Sequence, residues 1–178
     1  TLRLGMCLPA VLPAFSARYP NVSLQITDTV TAQLEPLVLD GSIDFAVTVS
    51  GDDSPKLVRH QIMDEQIYLC VADSLLTSCY GSQAGHLKQR ALAGARVEDF
   101  AALPFCIFDN RMGRQVNRCF EAAHITPRAY ITTTYTQIAT TICFQRLAAC
   151  FCPQMSLATL RGEIPPDINI FPLWYKDQ

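Results

Sequence analysis

Leu34-Glu35-Pro36-Leu37-Val38-Leu39-Asp40-Gly41-Ser42-Ile43-Asp44-Phe45-Ala46-Val47 reads as an amphipathic helix that stops at a glycine and drops into a buried strand. Leu34, Leu37 and Val38 fall on one helical face. Asp40 ends the last turn, and Gly41 supplies a left-handed cap. Ile43, Phe45 and Val47, with Ala46 among them, form a short apolar run that suits a strand covered on both faces. A helix that feeds directly into a buried strand is the repeating unit of α/β proteins, so this stretch sets the fold class.

The same alternation extends in both directions. Strands are expected at Leu2–Met6, Val22–Thr27, Asp44–Val49, Val58–Met63, Ile67–Ala72, Phe105–Phe108, Arg128–Thr134, Ala149–Cys152 and Asn169–Leu173. Helices are expected at Pro9–Arg18, Thr31–Asp40, Val97–Leu103, Arg111–Ala123, Thr136–Gln145 and Pro153–Arg161. The pattern predicts an α/β fold with a mainly parallel sheet. Phe15 to Leu37 and Phe120 to Phe144 share one order: helix, proline, strand, polar loop, helix. Two such halves suggest two lobes with a cleft between them. Ser74–Arg96, with Gly81, Gly85 and Gly94, reads as an irregular loop.

Composition sets bounds. A chain of 178 residues can bury a substantial core. A formal net charge of -2 argues against this chain itself gripping nucleic acid. No apolar run approaches the ~20 residues that span a bilayer. The chain opens Thr1-Leu2-Arg3 without an initiator Met, which reads as a fragment or processed product. Of the eight cysteines, most lie in apolar runs, among them Cys70, Cys106 and Cys143. They read as reduced core thiols, which fits a cytoplasmic protein. Cys150 and Cys152 alternate along one strand, but no Cys-x-x-Cys or neighbouring His completes a zinc site, and no metal or cofactor is expected.

Ligands in open α/β sheets sit beyond the carboxyl ends of strands, where helices begin and backbone N–H groups are unpaired. Four junctions qualify. They contribute Met6 and Cys7, then Thr29 and Thr31, then Asp109, Asn110 and Arg111, and finally Tyr135, Thr136 and Gln137. The competing reading is helix capping, since Thr, Asp and Asn are preferred N-caps in any protein. Arg111 and Arg114 stand at the start of a helix, where the dipole disfavours cations. A local anion is implied, either Asp109 or the carboxylate of a small ligand; the alternative is solvated surface arginine. Catalytic signatures are sparse. His60, His86 and His124 lack a nucleophile context, and there is neither a phosphate-binding glycine loop nor a His-Glu-x-x-His run.

Several of these segments, in the same order, resemble the effector-binding domain of LysR-type transcriptional regulators. The opening segment is similar to that domain's first lobe. Leu2-Arg3-Leu4-Gly5 resembles its first strand, and Leu12–Val22 its first helix with the closing Tyr-Pro. Gln66–Ala72 resembles the strand that crosses between lobes, and Val97–Phe105 the short helix before a second-lobe strand. Leu147–Pro153 resembles an apolar strand ending in proline. The resemblance implies a two-lobed fold like type 2 periplasmic binding proteins. Residues 1–68 and 169–178 would form one lobe and 69–168 the other, with the DNA-binding domain outside this chain. It implies a small-molecule effector lined by Thr31 and the loops of Asn110 and Thr136. It also implies a homodimer, tetrameric in the full-length protein, pairing the first helix with the Arg111–Ala123 helix of a partner. Gly5-Met6-Cys7-Leu8-Pro9 is shorter than the family's usual first junction, making the wall at Met6 and Cys7 more apolar. The alternatives are a free-standing solute receptor of this fold or an enzyme built on it.

Overall fold

The computed structural model describes residues 2–27, 29, 31–48 and 54–175. The chain divides into two compact units, Thr1–Ile62 and Met63–Gln178.

The first unit is helical. α1 runs Leu2–Arg18 and α2 Thr31–Leu39. The stretch that set the fold class behaves as expected at its turn. Asp40 N donates to Pro36 O at 3.0 Å and Gly41 N to Val38 O at 3.3 Å. Gly41 adopts φ +78°, a backbone that glycine alone enters without strain. Asp40 then accepts from Ser42 N at 2.9 Å. That hydrogen-bonding to Ser42 holds the carboxyl below its ordinary value.

Beyond the turn the expectation fails. Residues 45–48 carry no ladder, and Phe45 is 73% exposed. Val49 lies outside the described residues. The strands expected at Val22–Thr27 and Val58–Met63 are absent as well. These misses are physically one: a strand exists only as part of a ladder with a neighbouring strand, and the described residues of these three segments form no such ladder. Leu2–Met6, also expected as a strand, instead forms the start of α1. Leucine and methionine are strong helix formers, and a helix satisfies its backbone without a partner. α1 does so despite Pro9 and Pro13 within it.

The second unit contains β1 (Ile67–Ala72), α3 (Asp73–Tyr80), α4 (Ala84–Ala91), β2 (Pro104–Phe108) and α5 (Arg111–Ala122). β3 (Arg128–Thr133), α6 (Thr136–Phe144), β4 (Cys150–Pro153), α7 (Gln154–Thr159) and β5 (Ile168–Pro172) complete it. β1 is central in a three-stranded sheet and pairs antiparallel with both β4 and β5. Parallel pairing, expected to predominate, is found between β2 and β3. A parallel bridge at Phe105 and Ala149 ties the two sheets together, with Cys106 N to Ala149 O and Ala149 N to Pro104 O both at 2.8 Å.

β1 is apolar along its length and nearly all buried, as a central strand covered on both faces must be. Phe105, Phe120 and Phe151 form the centre of the core. Phe105 and Phe151 stack at 5.6 Å, and Phe120 meets both edge-on at 5.3 and 5.9 Å. Five cysteines, at 70, 106, 143, 150 and 152, are buried in this core. Burial pushes the Cys106 thiol up to about 12. Hydrogen bonding from Cys143 and Cys70 raises Cys150, with burial adding to it. The seven cysteines whose side chains are described are all free thiols.

Ser74–Arg96, expected as a loop, is mostly helix. Ala84, Leu87 and Ala91 recur at helical spacing and are buried, while Leu76 is the buried anchor of α3. The glycines misled because they punctuate rather than dissolve the helices. Gly81 closes α3 at φ +54°, and Gly94 follows α4 at φ +141°. The helix expected at Val97–Leu103 is a single 3₁₀ turn, Val97–Phe100.

Candidate functional site

β2 and β3 run parallel, so their carboxyl ends lie side by side and the helices that follow start next to each other. Asp109 N donates to Thr133 O at 3.1 Å, carrying the ladder one step past β2. Asn110 then occupies the N-cap of α5. Its Oδ1 accepts from Gly113 N at 2.9 Å, and its Nδ2 donates to Thr134 O at 3.2 Å. One side chain therefore caps α5 and ties it to the segment leading into α6.

Gly113 is what allows this closeness. A Cβ there would lie 1.9 Å from Phe108 O and 2.6 Å from Phe108 C. The first turn of α5 sits directly on the end of β2, and no larger residue fits. The sequence places Gly113 in this junction without giving it a role, and Thr134 was not anticipated as part of it. The Gly three residues after Asn110 was the available signal, since a cap residue followed by a glycine in the first turn permits close approach.

At α6 the capping explanation fails. Tyr135 occupies the N-cap position and makes no side-chain cap bond. Its backbone N donates to Thr133 Oγ1 at 3.1 Å, and its ring is 67% exposed. Thr136 Oγ1 and the Gln137 side chain make no hydrogen bond among the described residues. Thr140 and Thr141 instead bond back to backbone carbonyls of the first turn, Thr140 Oγ1 to Gln137 O at 3.0 Å and Thr141 Oγ1 to Gln137 O at 2.9 Å. Thus Asn110 is committed to structure, whereas Thr136 and Gln137 keep free polar groups at a helix N-terminus. Arg111 is half-buried and is not a free cation. Asp109 is exposed.

The other candidates lie in the first unit. Thr29 precedes α2 and donates from its hydroxyl to Gln33. Thr31 opens α2. Met6 and Cys7 lie within α1 rather than at a strand-to-helix junction, which removes the structural reason for choosing them. The structure thus joins Asp109, Asn110 and Arg111 to Tyr135, Thr136 and Gln137. Among the described residues no group of three or more His, Cys, Asp or Glu side chains is placed to hold a metal. No described helix is long and apolar enough to cross a membrane.

Adjacent helix N-termini at the ends of parallel strands define an α/β ligand-binding module. The particular family follows from comparison: the model for the LysR substrate binding domain matches residues 5–164, and the chain belongs to that family. Its fold is accordingly of the type 2 periplasmic-binding-protein kind. CbnR, solved at full length with its target DNA, is 23% identical at a TM-score of 0.66, covering 96% of this chain and 55% of CbnR. The effector binding domain of QuiR in complex with shikimate is 10% identical at a TM-score of 0.72, covering 96% of this chain and 76% of that one. The BenM effector binding domain with its effector benzoate is 15% identical at 0.67, covering 96% and 72%. The chain thus spans about half the length of full-length CbnR. No curated protein matches it.

Proposed function

We propose that this chain is the sensing part of a transcriptional regulator and binds a small molecule between lobes formed by residues 1–68 with 169–178 and by residues 69–168. The observation that carries the reading is the junction pair after β2 and β3. There Asn110 locks two helix starts together while Thr136 and Gln137 keep unsatisfied polar groups. Thr29 and Thr31 would supply the facing contacts, with Met6 and Cys7 an apolar margin. A carboxylate-bearing effector suits two helix N-termini, whose N–H groups and dipoles favour an anion. QuiR with shikimate and BenM with benzoate supply precedents of that chemistry in the same fold.

Sensing requires that the ligand bind one lobe arrangement better than another, because equal affinity for both shifts nothing. The effector would change how a homodimer, or a tetramer of the full-length protein, presents DNA-binding domains that lie outside these residues. Such a protein works in the cytoplasm and catalyses nothing. The dimer reading is supported by α1, which leaves Val11 55% exposed, with Tyr19 just beyond it at 45%. A free-standing receptor is disfavoured by the cluster of reduced, buried thiols. The test is a thermal-shift panel of small aromatic and alicyclic carboxylates. A ligand at a hundred times its Kd should add about 2.7 kcal/mol of stability. Thr136→Ala should weaken that response without changing the unliganded Tm. Turnover of any panel compound would restore the enzyme reading.

A further inference from the structure

Tyr135 stands where a helix normally takes a capping side chain. At that position Ser, Thr, Asp or Asn accepts from the first N–H groups, as Asn110 does for α5 at 2.9 Å. The backbone at the start of α6 has the same extended character, with φ -101° and ψ 115°, yet the side chain makes no cap bond. A tyrosine ring is unsuited to one, because its only polar atom lies at the far end of the ring. The first turn of α6 therefore presents N–H groups with no acceptor from its capping position.

The ring is fixed at its root and open at its faces. Tyr135 N donates to Thr133 Oγ1 at 3.1 Å, and Thr134 O, one residue earlier, accepts from Asn110 Nδ2 at 3.2 Å. The backbone that carries the ring is thus tied to both β3 and α5. The ring is 67% exposed. Among the described residues it meets no other ring and no cation, and its hydroxyl has no partner. Exposure alone says little, since Tyr130 in β3 is exposed too. What separates the two is place. Tyr130 lies inside a strand, whereas Tyr135 adjoins the uncapped N–H groups and the unbonded side chains of Thr136 and Gln137.

Building on the effector reading of this helix start, we propose that Tyr135 makes the site select a flat aromatic acid over a saturated one. The carboxylate would take the N–H groups of the first turn of α6, and the ring would pack on Tyr135. A carboxylate joined directly to a ring presents the two groups side by side, as position 135 and the turn after it are. Aromatic rings attract one another in offset or edge-to-face pairs with centres ~4.5–7 Å apart, a geometry that a puckered saturated ring lacks. Burial of apolar area works the other way. A saturated ring of the same size carries more hydrogen and more apolar surface, so area alone would favour it. Preference for the flat ring therefore isolates the contribution of Tyr135.

The test is calorimetric titration of the chain with benzoate and with cyclohexanecarboxylate, both anionic at neutral pH. The parent should bind benzoate about three- to tenfold more tightly, the effect of one aromatic pair. Tyr135→Leu should bring that ratio to about one, Tyr135→Phe should preserve it, and neither change should lower the Tm of the unliganded protein. Equal binding of the two acids by the parent overturns the proposal and leaves the effector reading standing. So does a preference that survives Tyr135→Leu or is lost in Tyr135→Phe. A clearly lowered Tm in Tyr135→Leu would show the ring to be structural and would also overturn it. Binding of neither acid by the parent overturns the carboxylate reading of the site and this proposal together.

Discussion

Replacing Gly113 with alanine should destabilise the protein severely, although the same change in most helices stabilises. In a helix interior Gly→Ala is favourable by about 1 kcal/mol, through backbone entropy. Here the added Cβ would stand 1.9 Å from Phe108 O, 2.6 Å from Phe108 C and 2.8 Å from Phe108 Cβ. An ordinary carbon–oxygen contact is nearer 3.3 Å or so, so α5 and β2 must separate by more than an ångström or so. The nearest atoms are backbone, so no side-chain rotation relieves the clash. Separation also opens the 2.9 Å bond from Gly113 N to Asn110 Oδ1 and strains the 3.2 Å bond from Asn110 Nδ2 to Thr134 O. Overpacking of about 1–3 kcal/mol and loss of a cap of about 1 kcal/mol outweigh the entropy gain of about 1 kcal/mol, leaving a net loss of about 1–3 kcal/mol. Urea unfolding followed by circular dichroism reads this as a lower midpoint at constant slope. A Gly113→Ala protein as stable as the parent would refute the docking of α5 onto β2, and with it the adjacency of the two helix starts.

Asn110→Ala should lose about 1 kcal/mol as a cap, and Asn110→Asp less, since Asp keeps the cap but not the donor to Thr134; denaturant midpoints order the three proteins. Asp73 accepts from Asn169 at 2.7 Å and Lys88 at 2.6 Å, and those bonds hold its carboxyl below the ordinary 3.8. A depressed folded value means stability present above 3.8 and lost as pH falls through that lower value. Asp73→Asn should thus cost under about 1 kcal/mol near neutrality, a small effect because the group is half exposed, and the difference should vanish in acid. In native thiol titration, of the seven cysteines whose side chains are described, Cys79 and Cys119 should react first, and Cys70, Cys106, Cys143, Cys150 and Cys152 only on unfolding. Rapid native labelling of Cys150 would contradict the core packing.

The sequence revealed most where local signals and tertiary context agree. β1, β2 and β4 lie close to the places where apolar runs put them, because their burial requires apolar residues on both faces; the partly buried β5 and the largely exposed β3 also fall near their expected places. The Gly41 turn was legible because its backbone conformation admits little else. The strands expected at Val22–Thr27, Asp44–Val49 and Val58–Met63 do not form among the described residues, because an apolar pattern such as Ile43–Val47 becomes a strand only with a neighbour to pair with. α3 and α4 were hidden behind Gly81, Gly85 and Gly94, read as loop markers although Gly81 and Gly94 merely end helices. At the site, residue types picked out both junctions but not the division of labour. That Asn110 is consumed by capping while Thr136 is left free depends on which carbonyl and amide lie within reach, and that is set by the parallel pairing of β2 and β3.

The most direct test of the sensing role is an amide-resolved NMR titration of the chain with shikimate, benzoate and related small carboxylates. Saturable binding should move the amides of Met112 and Gly113, those of Gln137 and Ile138, and those of Ala32 and Gln33 together, because one ligand would touch the starts of α5, α6 and α2. Saturable binding that shifts amides of only one unit, or leaves the starts of α5 and α6 unmoved, would contradict a site shared between the two lobes.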